Sequence, residues 1–164
     1  MTLVRVLRER WSHDPLVEGE TIDLNNLSAD IFRNFECKKG CISIFEAADP
    51  ALAPRIAIAI AALRKGLDDV HYCTVPNNDF TELALEEDRS VKGETPDGVV
   101  NQLHFDVRNL SARGLSRLVE ICAARGETHT IRAREVKSVL ARMIADGSIQ
   151  EAVIQPSLKK VLFA

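Results

Sequence analysis

His104 and Asp106 stand two residues apart in Asn101–Arg108, a run whose Leu103, Phe105 and Val107 alternate with them. Successive strand side chains point to opposite faces, so His104, Asp106 and Arg108 share one face and the apolar residues take the other. His71 and Cys73 repeat that spacing in Val70–Val75. If the two strands adjoined, a thiol, an imidazole and a carboxylate would form a Cys–His–Asp grouping suited to nucleophilic catalysis. No Gly-x-Ser-x-Gly elbow accompanies them, and a histidine on a mixed strand also serves as a hydrogen-bonded core residue.

Cys37 and Cys41 flank Lys38-Lys39-Gly40 at a spacing that a structural zinc site can use, with Cys73, Cys122, His71 and His129 as the remaining ligands. None of these forms a second close pair, so the expectation is no metal and no cofactor. Gly-x-Gly-x-x-Gly and Gly-x-x-x-x-Gly-Lys-Ser/Thr loops are both absent, which argues against a phosphate cradle of either kind.

The charge is unevenly placed. The 164 residues sum to −3, yet residues 1–107 carry 11 basic and 19 acidic side chains while residues 108–164 carry 10 and 5. Arg108, Arg113, Arg117, Arg125, Arg132 and Arg134 are the candidate binding residues, with Lys137 and Arg142 beside them. Between Asp79 and Asp97 there are seven acids against two bases. Clustered arginines can neutralise phosphates, so a nucleic-acid surface is one reading. The other is that they coat exposed helix faces and pair with acids of the first half or of a partner. Helix 112–125, helix 133–146 and a tail hairpin resemble the order of a winged-helix module, but Gly126–Ile131 reads as a strand and Phe163 is the sole aromatic of this half.

The elements that would position these groups follow from periodicity. Leu3, Leu7 and Trp11 match the stripe of a short amphipathic helix. Strands are expected at Thr21–Leu24, Cys41–Phe45, Val70–Val75 and Asn101–Arg108, and a short helix from Ala29 to about Glu36 capped by Ser28. Ile56–Ile60 has period two, but its alanines, the Asp49-Pro50 start and the Leu63-Arg-Lys-Gly66 stop favour a helix. Ser111 caps a helix over 112–125 with Leu115, Leu118, Val119 and Cys122 inward. A second runs over 133–146 with Val136, Val139, Leu140, Met143 and Ile144 inward. Two tail strands, Ile149–Ile154 and Lys160–Phe163, flank Pro156.

Ile22–Ala29 and Phe105–Ala112 share five of eight residues, and two more positions are apolar in both. Duplicated strand–helix–strand halves at 21–66 and 104–147 would account for this. Asn26, Ser28, Asn109 and Ser111 would then sit at equivalent strand-to-helix turns able to hold an anion or merely cap a helix.

The expectation is one compact α/β or α+β domain over 1–164, with interleaved strands and helices. The longest uncharged apolar run, Ile56–Leu63, is eight residues, far short of the roughly 20 that a membrane helix needs. With no secretory h-region visible, a cytoplasmic setting is expected. The functional expectation is a non-catalytic binding or regulatory protein acting through a protein partner or self-association. Nucleic-acid binding by the basic half and a small hydrolase-like enzyme around His104 and Asp106 are the alternatives.

Overall fold

A computed structural model describes residues 1–8, 34–35, 40–78 and 85–163. Its centre is a six-stranded sheet: β1 (Thr2–Leu7), β2 (Ile42–Ala47), β3 (Val70–Pro76), β4 (Glu86–Asp88), β5 (His104–Arg108) and β6 (Glu127–Ile131). The spatial order is β4-β5-β2-β1-β3-β6, and every neighbouring pair is antiparallel. The helices are α1 (Leu52–Ala61), α2 (Gly98–Asn101), α3 (Ala112–Arg125), α4 (Ala133–Ala145) and α5 (Pro156–Leu162), with a 3-10 turn at Glu151–Val153. Mixed α/β architecture is as the sequence predicts.

The pleat divides the core into two layers. Val4, Phe45, Ala47, Val70 and Tyr72 pack under α1, α4 and α5. Leu3, Leu7, Ile42, Ile44, Cys73, Phe105 and Val107 pack against α3. β1 lies at the centre of the sheet between packed layers, which is why, Arg5 apart, its run is apolar on both sides. The amphipathic helix expected at Leu3, Leu7 and Trp11 is thus corrected: the described part is a strand. A spacing of four fits a helical turn and, being even, equally places Leu3 and Leu7 on one strand face.

The helix is the right reading of Ile56–Ile60. Ala53, Ile56, Ala57, Ile58, Ala59 and Ala61 are all buried, as expected of a helix that is apolar all round. It begins at Leu52, so Pro54 falls in its first turn, where no intrahelical donor is required. α3 runs from the Ser111 cap to Gly126 as predicted.

The tail strands are the second correction. Ile149–Ile154 contains the 3-10 turn, and Pro156 opens α5, over which Leu158 and Leu162 are buried. Proline at the first helical position sets φ and loses no needed donor, so Pro156 starts a helix here and does not separate two strands. A tail hairpin is therefore absent, and with it the resemblance to a winged-helix order.

Trp11, the strand at Thr21–Leu24, Asn26, Ser28, Cys37, most of the Ser28-capped helix and the matching stretch Ile22–Ala29 of the first repeat copy lie outside the described residues. Among the described residues, no helix is long and apolar enough to cross a membrane.

Candidate functional site

Strand register builds a polar cluster on the face of the sheet that carries α1. Ser43 on β2 stands opposite Asp106 on β5, and Phe45 opposite His104. Ser43 Oγ donates to Asp106 Oδ1 at 3.0 Å. His104 Nε2 lies 3.3 Å from that same oxygen. The other ring nitrogen, Nδ1, is 2.9 Å from the Val91 carbonyl oxygen, which can only accept, so Nδ1 donates. Phe45 packs edge-on to the imidazole at a centroid distance of 5.1 Å.

The cluster forms part of an open cleft of about 640 Å³. β1 and β2 pair only through Thr2–Val4 and Phe45–Ala47. Beyond that ladder, Arg5 Nη1 donates to the Ser43 carbonyl at 2.7 Å, satisfying an acceptor that further strand pairing would otherwise take. Val6, Phe45, Ile60 and Leu63 supply apolar lining, and Arg5, Arg8, Arg64, Lys92, Glu94 and Asp106 are its charged residues. Burial lowers the pKa of the Arg64 guanidinium from its ordinary value, against the opposing pull of Asp68.

The wall formed by residues 91–95 is held from behind. Asn101 Oδ1 accepts from the backbone N–H and the hydroxyl of Thr95, both at 2.8 Å, and its Nδ2 returns a bond to the Thr95 carbonyl. Gly93 is the close approach: a Cβ there would lie 3.2 Å from Asn101 Cα and 3.3 Å from His104 Cβ. Asp97 is fully buried, caps α2 through Val99 and Val100, and is gripped by Arg55 of α1. Its hydrogen bond raises the Arg55 pKa.

The two strands do not adjoin, so the Cys–His–Asp grouping does not assemble. β3 and β5 are separated by β2 and β1. Cys73 also faces the α3 layer, away from His104. His71 bonds Thr130 Oγ1 through Nδ1 at 2.9 Å. Cys122, the neighbouring thiol, has its pKa pushed well up by a hydrogen bond with Cys73 and by burial, the opposite of what an activated thiolate requires. His104 and Asp106 do share a face, and the residue that joins them is Ser43, which sequence reasoning missed. Its signal was one polar residue amid the β-formers of Cys-Ile-Ser-Ile-Phe. Among the described residues, no three His, Cys, Asp or Glu side chains could hold a metal ion.

The basic residues fall into separate places. Arg108 pairs with Asp88, and Arg132 with Asp69 at 2.7 Å, both acids belonging to the first half of the chain. Arg117 pairs with Glu120 on its own helix at 2.5 Å. Arg113 sits on α3 and Arg134 on α4, helices that cover opposite faces of the sheet. Arg125 lines a second cavity, about 320 Å³, beside Tyr72, Thr74 and His129. Ser111 Oγ caps α3 by accepting from Gly114 N at 3.1 Å. Asn109 takes the left-handed turn at φ 51° and reaches Glu86.

No protein-family model matches the chain, and no curated protein and no solved structure is detectably similar to it.

Proposed function

We propose that this chain is a non-catalytic binding protein and that it holds a small molecule in the cleft between β1, β2, β5 and the 91–95 wall. One observation carries the reading: in a single cleft of about 640 Å³, apolar side chains converge with the Ser43–Asp106–His104 cluster. Pockets for small ligands combine such lining with a few placed polar groups.

The order of the cluster supports binding over hydrolysis. Asp106 lies between Ser43 and His104, so the imidazole touches the carboxylate, and the hydroxyl it would have to deprotonate bonds Asp106 instead. A serine nucleophile needs its base on the hydroxyl itself. Docking of a partner or nucleic acid through one basic face draws less support, because α3 and α4 split the arginines between two sides.

The test is a fragment screen on 15N-labelled protein. Bound fragments should shift the amide resonances of Ser43, Gly93 and His104. Hits whose shifts are confined to α3 or α5 would overturn the assignment.

A further inference from the structure

Arg64 differs from five other arginines of the chain. Arg55, Arg89, Arg108, Arg117 and Arg132 each meet a carboxylate within ion-pair distance. Arg64 is partly buried in the cleft wall, and its hydrogen bonds go to backbone carbonyls, Asp69 at 3.3 Å and Leu7 at 3.4 Å. Among the described residues no carboxylate pairs with it; Asp68 acts on it only at longer range. A partly desolvated guanidinium without a counter-ion costs free energy that an incoming anion would recover. Lys92, also in the lining, has no ion pair among the described residues either.

On the premise that the cleft is a ligand site, we infer that its ligand is a small oxyanion, a carboxylate or a phosphomonoester, attached to an apolar body. The guanidinium of Arg64 offers a planar pair of donors matched to either group. Val6, Phe45, Ile60 and Leu63 take the apolar part. The Asp106 carboxylate, already accepting from Ser43, disfavours a second anionic group at the far end, so the ligand carries its charge at one end only.

Three probes of similar shape decide it: phenylacetate, phenyl phosphate and the uncharged phenylacetamide, titrated into the full chain and followed by amide shifts. One or both anions should bind at Ser43, Gly93 and His104. The amide should bind at least tenfold more weakly, and R64Q should cost the anions tenfold or more. Whichever anion is tighter identifies the head group. Equal binding of amide and acid overturns the anion inference while leaving the cleft as a ligand site. Should R64Q fail to fold, K92Q and the salt dependence of the anion-to-amide ratio replace it, and a ratio unmoved by both overturns the inference. Absence of binding by all three probes overturns it as well, and library hits mapping elsewhere would then remove the cleft reading too.

Discussion

Asp69 caps a helix that begins 64 residues later: its Oδ1 accepts the Ala133 backbone N–H at 2.8 Å. The residue at the cap position of α4 is Arg132, which has no side-chain acceptor to offer. Asp69 supplies the missing oxygen, pairs with the Arg132 guanidinium, and sits immediately before β3. The relationship ties α4 to the sheet and gives stability a pH dependence of known sign.

The Asp69 pKa is lowered by the Ala133 hydrogen bond and then by Arg132. Hydrogen bonds from Ser90 do the same for Asp88, and from Ser148 for Asp146. A carboxyl depressed in the folded state stabilises it above the unfolded value, near 3.9, and loses that contribution as pH falls through the folded value. Stability should therefore hold near neutrality and decline below about pH 4. In D69N the gap from wild type should be widest at pH 7 and close in acid, as measured by urea unfolding across pH.

Arg55 and Asp97 join through Nε–Oδ2 at 2.6 Å and Nη2–Oδ1 at 3.1 Å. Replacing Arg55 with methionine keeps the stem and leaves a buried carboxylate uncompensated. Denaturant unfolding should show a loss of about 3 kcal/mol, the low end for a broken buried pair because Arg55 is one-third exposed.

Gly93→Ala should push the 91–95 wall off His104, since the new methyl meets the Asn101 backbone and the His104 Cβ. Overpacking of this kind costs about 1–3 kcal/mol. The His104 ring resonances should shift, and fragment affinity in the cleft should fall.

Ser43→Ala separates ligand binding from folding. Ser43 is exposed, and its single side-chain hydrogen bond to Asp106 is worth at most about 1 kcal/mol. Thermal unfolding should move little, while affinity for fragments that shift Ser43 should change severalfold. A large loss of stability with unchanged affinity would reverse the role assigned to the cluster.

Much of this fold is readable where one period dominates. α3, α4, β3, β5 and β6 have clean stripes or alternations bounded by Ser111, Gly126 and Gly147, and each lies within a residue or two of its expected place, β5 starting three residues late. β1 misleads because Leu3 and Leu7 satisfy both periods. α5 misleads because Pro156 starts a helix as readily as it breaks a strand. Half of the site is local and legible: His104 and Asp106 share a face because strands alternate. The other half is not. Ser43 reaches Asp106 only through pairing of β2 with β5, and Arg64 reaches the cleft through the placement of α1 on β1. Charge arithmetic located the basic half, but antiparallel topology sends α3 and α4 to opposite faces.

The central claim is that ligands lodge against Phe45 and Ile60 beside the Ser43–Asp106–His104 cluster. Intermolecular NOEs from the tightest fragment, charged or neutral, measure this most directly. Contacts to the Phe45 ring and the Ile60 and Leu63 methyls are expected. Contacts to the exposed Val153, Val161 and Phe163 side chains instead would contradict it.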